Sequence, residues 1–189
     1  MRAVILLAAG SSRRFGMANK LLARVAGEPL ILRALAVAHG LPAGRILVVI
    51  GWQAARVARA ARGPRVTVVR VRDHAEGLAA SLRGGVRALR PCERAAFILL
   101  ADMPWIDPAL GPRLARALRP GCDGARPFWH GRPGHPLLAR RALLDRAMAL
   151  RGDAGLATLR PRIARLSADR RAIADIDRRR DGSHRAARR

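Results

Sequence analysis

Tyrosine is absent from this 189-residue chain, and aromatic residues make up only 3% of it. That shortage bears on the formal charge of +24, which by itself invites a polyanionic partner. Single-stranded bases are read largely by stacking on aromatic platforms, so nucleic-acid binding is expected to be non-specific if it occurs at all. The arginines run along the whole chain and read as solvated faces able to attract a polyphosphate substrate. Cysteine is scarce as well. Cys92 and Cys122 stand outside any Cys-x-x-Cys or Cys/His spacing, which speaks against a zinc site and a disulfide framework. No apolar run approaches the roughly 20 residues of a membrane span. The first apolar stretch, Ala3–Ala9, is too short for a signal peptide and reads as a β-strand, so a cytoplasmic protein with no membrane partner is expected.

The scarcest charged residue is lysine. Among 37 Lys and Arg residues the only lysine is Lys20. It ends the run Leu7-Ala8-Ala9-Gly10-Ser11-Ser12-Arg13-Arg14-Phe15-Gly16-Met17-Ala18-Asn19-Lys20, a glycine- and serine-rich loop behind an apolar strand. A compact ammonium on a flexible stem is not replaceable by a planar guanidinium where a phosphate must be reached.

Half of the residues are apolar, enough for a substantial core in one compact domain. Residues 1–181 are expected to form that domain and 182–189 a basic, flexible tail. Strand-like runs at Ala3–Ala8, Arg45–Ile50, Val66–Val71 and Ala95–Leu100 alternate with helical stretches near Pro29–His39, Gln53–Ala61 and Leu78–Leu89. The pattern predicts an α/β domain with a mainly parallel sheet flanked by helices. Ligands bind at the carboxyl ends of such strands, which is where both the Gly10 loop and Asp102 fall. Beyond Pro120 the texture turns to Gly, Pro, His and Trp. A further helix is predicted over Arg141–Leu150, and Asp153 is a candidate cap for a helix running towards Leu159.

Glycines behind a first strand expose backbone N–H groups to phosphates, and Arg13, Arg14 and Lys20 suit several of them. The loop has neither the Walker A spacing nor the dinucleotide fingerprint, and a structural turn explains such a loop equally well. Asp102, followed by Met103-Pro104, suits a Mg²⁺ ion facing phosphate oxygens, or else a helix cap.

Together, Leu7-Ala8-Ala9-Gly10-x-Ser12-x-Arg14-Phe15-Gly16, Asn19-Lys20-Leu21-Leu22 and Leu100-Ala101-Asp102-Met103-Pro104 resemble the nucleotidyltransferases that mature the molybdenum cofactor. Glu76-Gly77 with Ser81-Leu82-Arg83-Gly84-Gly85-Val86, Gly131-Arg132-Pro133-Gly134-His135-Pro136, Gly152-Asp153-x-Gly155 and Asp175-Ile176-Asp177 follow in the family's order. The resemblance runs from Ala3 to Asp181 and is strongest to the cytidylyltransferase branch. It implies a Rossmann-like fold and transfer of CMP from CTP to the terminal phosphate of molybdopterin, or of its molybdenum form, with release of pyrophosphate.

By that resemblance Lys20, Asp102 and Arg14 are catalytic. Leu7, Ala8, Ala9, Gly10, Ser11, Ser12, Lys20, Gly77, Ser81 and Asp102 bind the nucleotide. Arg132, Gly134 and His135 meet the pterin, and Asp102 with Asp177 (or Asp175) holds Mg²⁺. The family has Thr-Pro after its late Asp-Ile-Asp, whereas Arg178-Arg179 stand here, so these two late carboxylates also read as surface groups. Cytidine users of the family read Leu-Ala-Ala-Gly, as here, and guanine users Leu-Ala-Gly-Gly. A GTP-using or sugar-directed transferase, and a non-catalytic carrier or insertion chaperone serving a molybdoenzyme, remain alternatives.

Overall fold

The computed structural model describes residues 1–10 and 18–176. Ser11, Ser12, Arg13, Arg14, Asp177 and the basic tail lie outside the described residues. The first half of the chain lays down β1 (Arg2–Ala8), a small hairpin of β2 (Arg24–Val25) and β3 (Glu28–Pro29), and helix α1 (Leu30–Gly40). Then come β4 (Arg45–Ile50), α2 (Ala54–Ala60), β5 (Val66–Arg70), α3 (Leu78–Arg87) and β6 (Ala95–Leu100). The second half adds α4 (Leu110–Ala117), β7 (Gly124–Trp129), β8 (Arg132–Pro133), β9 (Leu137–Arg140), α5 (Arg141–Arg146) and β10 (Ile163–Ser167).

The main sheet has the order β10-β7-β9-β6-β1-β4-β5, with β8 paired to β7. Strands β5, β4, β1 and β6 are parallel, and β9 runs antiparallel to both β6 and β7. The result is a Rossmann-like α/β sheet, open at β5 on one edge and at β10 on the other.

Strand β1 is central because it is apolar on both faces, as a strand covered by helices on each side must be. Val4 and Leu6 join one core with Ile31, Leu35, Val48, Phe97 and Leu114, while Ala3 and Ile5 join the other with Val49, Leu82, Val86 and Leu143. Helix α3 comes unusually near the sheet through Gly85, where a Cβ would sit 2.5 Å from Cγ2 of Ile5. Beneath the strands' amino ends Glu93 is buried and accepts from Arg45 Nε (3.0 Å) and Nη2 (2.7 Å) and from the Arg90 amide (2.6 Å). Burial opposes its charge, yet these bonds from Arg45 and Arg90 hold its pKa below the usual carboxylate range.

Two expectations need correction. The helix predicted over Arg141–Leu150 stops at Arg146 and tightens into a single turn, Ala147–Ala149. Asp153 does not cap the stretch towards Leu159, which is only a short turn at Leu156–Leu159 with no side-chain cap. Its Oδ1 accepts instead from the Leu78 amide at the start of α3 (3.3 Å). No helix among the described residues is long and apolar enough to cross a membrane.

Candidate active site

From β1 the chain crosses to β4 and β5, then returns to place β6 on the other side of β1. A sheet that reverses in this way opens a crevice beyond the carboxyl ends of its central strands. Here that crevice is about 520 Å³ and is floored by Leu7–Gly10 after β1 and Leu100–Asp102 after β6. The turn His74–Glu76 contributes His74 and Ala75 to one wall, Gly77 links it to α3, which adds Leu78 and Ser81, and Asp153 reaches in from a distant loop.

Lys20 enters from the short turn Lys20–Leu22. Asn19 caps that turn by accepting from the Leu21 amide (3.0 Å), and its Nδ2 donates to the Trp52 carbonyl (3.4 Å). A buried asparagine therefore anchors the lysine stem to the loop after β4. Lys20 Nζ donates to Oδ2 of Asp102 at 2.9 Å, with side-chain exposures of 14% and 26%. The pair is shielded enough for its charges to matter, because screening by water is reduced there.

The other Asp102 oxygen, Oδ1, is buried with no hydrogen-bond partner among the described residues. A buried carboxylate oxygen left unmatched is costly unless something else approaches it. A hard divalent cation suits it, since such ions prefer oxygen donors. No cluster of three or more His, Cys, Asp or Glu exists among the described residues. A cation at Asp102 would then complete its shell from substrate phosphates and water, which is how Mg²⁺ commonly sits in nucleotide sites.

The described members of the expected nucleotide set, Leu7–Gly10, Lys20, Gly77, Ser81 and Asp102, all line this crevice. Arg132, Gly134 and His135 are not among the residues lining it. Arg132 is exposed on the β7–β8 hairpin. His135 lies behind the site: its Nδ1 donates to the Ile98 carbonyl (3.1 Å), and Nε2 faces Arg126 Nη2 (3.4 Å). Its amide donates to the Ala172 carbonyl (2.8 Å), and the same segment returns to Asp102 through the Ile176 amide (3.0 Å). His135 thus ties the carboxyl-terminal strap to the sheet under Asp102. Sequence reasoning missed His74, Leu78 and Asp153 in the crevice. For Asp153 the contact spans 75 positions, and no local pattern announces it.

Burial and the neighbouring Arg126 guanidinium push the His135 pKa down to about 4, only partly offset by the Ile98 carbonyl and Asp102. The unfolded chain takes up this proton near pH 6.5 and the folded chain only near 4. The neutral ring therefore supports the fold above pH 6.5, and that support is lost as pH falls from 6.5 through 4. The loss expected is on the order of 3 kcal/mol. Urea midpoints measured from pH 7.5 to 4.5 should fall for the wild type and fall distinctly less for His135→Asn. Parallel curves would show that His135 is not the titrating group.

Comparison with known proteins adds the family. Residues 4–170 match the profile described as the MobA-like NTP transferase domain. The bifunctional protein GlmU of Caulobacter vibrioides is 32% identical over 152 residues, covering 72% of this chain and 32% of that protein. The chain spans about a quarter to a third of the length of the curated relatives it matches. In structure, the Rv0371c homolog from Mycobacterium sp. strain JC1 superposes with a TM-score of 0.87 at 26% identity, over 98% of this chain and 95% of that one. Rv0371c of Mycobacterium tuberculosis H37Rv follows with a TM-score of 0.82 at 26% identity, over 98% and 96%, and has also been determined in complex with manganese. The profile covers most of the sequence, and the solved relatives cover nearly the whole fold. This chain belongs to the MobA-like NTP transferase domain family.

Proposed function

We propose that this chain is a divalent-metal-dependent nucleotidyltransferase that moves CMP from CTP to the terminal phosphate of molybdopterin or its molybdenum form, releasing pyrophosphate. The observation that carries the reading is the pairing of the sole lysine with Asp102 at 2.9 Å in the crevice, with Oδ1 of Asp102 buried and unmatched among the described residues. A cation and an anion held face to face over the carboxyl end of β6 suit a substrate that brings both phosphates and a counter-ion.

In the reaction an oxygen of the acceptor phosphate attacks the α-phosphorus of CTP. The bond from that phosphorus to the β-phosphate oxygen breaks, and pyrophosphate leaves with the electron pair. The acceptor is already an anion near neutral pH, so no strong general base is needed, and positioning and charge neutralisation dominate. Lys20 turns from Asp102 to the phosphate oxygens, and the loop after β1 brings its backbone amides to them. A Mg²⁺ or Mn²⁺ ion held by Asp102, with Asp177 as the second ligand that the family resemblance implies, would supply charge neutralisation at the α-phosphate. The manganese complex of Rv0371c supports a divalent ion on this fold.

The test is turnover of the purified protein with Mg²⁺, each of the four nucleoside triphosphates and molybdopterin, read as pyrophosphate release and as the mass of the adduct. A CMP adduct supports the proposal, and a GMP adduct replaces it by the guanylyl version. Tight pterin binding without turnover would point to a carrier. Turnover only with a sugar phosphate in place of the pterin would keep the chemistry and change the acceptor.

Ala9 offers a finer check. It is buried at the crevice floor, and its carbonyl accepts from the Trp52 amide (3.4 Å). Its methyl group takes space that glycine leaves open, and one methyl in a pocket decides about 1–3 kcal/mol. Ala9→Gly is expected to relax the CTP preference towards GTP by about 10-fold in kcat/KM. A wild-type preference for GTP would overturn the cytidylyl assignment.

A further inference from the structure

We propose that Asp153 reads the exocyclic amine of the nucleotide base, and so separates cytosine from uracil; this rests on the nucleotidyltransferase reading above. The loop carrying Asp153 closes the start of α3. The Leu78 amide donates to Asp153 Oδ1 (3.3 Å), and the Ala79 amide donates to the Gly152 carbonyl (3.0 Å). With its first two amides engaged inside the protein, this helix end does not offer them to a phosphate. The phosphates therefore belong at the Lys20–Asp102 end, and the wall of Leu78, Ser81 and Asp153 falls to the base. Leu78 and Ser81 are three positions apart on α3 and share one helix face.

Asp153 has one carboxylate oxygen to spare. Oδ1 serves the Leu78 amide, while Oδ2, on an exposed residue, makes no hydrogen bond or ion pair among the described residues and is open to the solvent of the crevice. A carboxylate oxygen only accepts, so it repels a phosphate and the O4 of uracil and welcomes the N4 amine of cytosine. Ser81, with a hydroxyl able to donate, supplies the complementary group for a pyrimidine carbonyl.

The loop is held firmly enough for such a reading. Buried Arg83 donates to the Leu150 carbonyl (2.7 Å), to Glu76 (3.0 Å) and to Asp73 (3.2 Å), joining both sides of this wall. Gly77 has φ +112°, and a Cβ there would sit 2.5 Å from Asp153 Oδ1, so the two segments are in direct contact.

The cap makes the experiment sharp. In Asp153→Asn the amide oxygen keeps the Leu78 bond, which turns the NH₂ group into the position of Oδ2. An acceptor becomes a donor, and the amine of cytosine is then opposed while the O4 of uracil is matched. Binding constants for CTP and UTP, measured by titration calorimetry in the presence of Mg²⁺ without any acceptor, should favour CTP in the wild type. In Asp153→Asn the CTP/UTP ratio should fall by about 10- to 100-fold and move towards UTP. Asp153→Ser keeps a capping hydroxyl but withdraws the second oxygen, and should lose the preference without gaining UTP.

A wild type indifferent to the two nucleotides, an unchanged ratio in Asp153→Asn, or an equal loss for both would overturn the proposal. The last result would assign the residue to the sugar or to the cap alone. Because no pterin is present, failure of the acceptor assignment shows separately, as CTP selectivity without CMP transfer to molybdopterin.

Discussion

Asp102→Asn is expected to reduce nucleotidyl transfer by at least about 100-fold while leaving the fold intact, a loss on the order of 3 kcal/mol in transition-state stabilisation. The substitution keeps the shape of the side chain, and the backbone carbonyl of residue 102 still accepts from the Ile176 amide. What changes is charge and donor type. An amide oxygen is a weak match for a divalent ion, and an NH₂ group at either oxygen position of Asp102 meets an ammonium or a cation. A thermal midpoint within a few degrees of wild type, with kcat/KM collapsed and Mg²⁺-dependent nucleotide binding weakened, is the expected combination. If Asp102 served only as the structural partner of Lys20, turnover would survive with a lower midpoint. Those two outcomes do not overlap.

Lys20 is expected to show the second-largest effect, and its form matters as much as its size. Lys20→Ala should lower kcat/KM by about 100-fold or more, in the range seen when a preorganised charge is removed from a developing anion. Lys20→Arg, which preserves the charge, should still lose about 10-fold, because a planar fork cannot take the place of a point donor in a crevice whose stem is fixed by Asn19. The comparison is made with saturating acceptor and varied CTP, so that weaker binding and slower chemistry separate in KM and kcat. Equal activity of the arginine variant and the wild type would reduce Lys20 to a non-specific charge. Salt should weaken the alanine variant no more than the wild type, since the long-range field of the remaining arginines is untouched.

Much of this fold is legible because its central strands are buried on both sides. Runs such as Val4–Leu7, Ile46–Ile50 and Phe97–Leu100 are continuously apolar, and only a helix-covered sheet tolerates that. Once β1 and β6 are recognised, Gly10 and Asp102 must fall at the same end of the sheet, whereas the pairing of Lys20 with Asp102 is visible only in the structure.

The rest lacked a local signal. Helix α4 contains Gly111 and Pro112, which read as breakers, yet the proline stands in the first turn where no amide is required. Strand β7 carries Pro127, and its pairing to β9 is confined to Gly124 and Ala125. Asp153 and His135 depend on partners far away in the sequence, Leu78 in one case and Ile98 and Ala172 in the other. Long-range hydrogen bonds leave no periodicity behind, so neither residue's surroundings could be read before the fold was known.

The two open edges of the sheet give the arginine surplus a meaning apart from catalysis. Neither β5 nor β10 has a second neighbour among the described residues, so each presents a row of backbone groups on which another strand could grow. Arg70 ends the first edge strand, and Arg162 and Arg165 lie along the second, all three exposed. Arg165 is held across the ring of Phe128, 4.0 Å from its centre, and so stays beside its strand. A second copy approaching edge to edge would bring guanidinium against guanidinium before any backbone bond could form. Edge-to-edge growth is therefore expected to be opposed at the margins of the sheet, and the opposition should weaken as ionic strength rises.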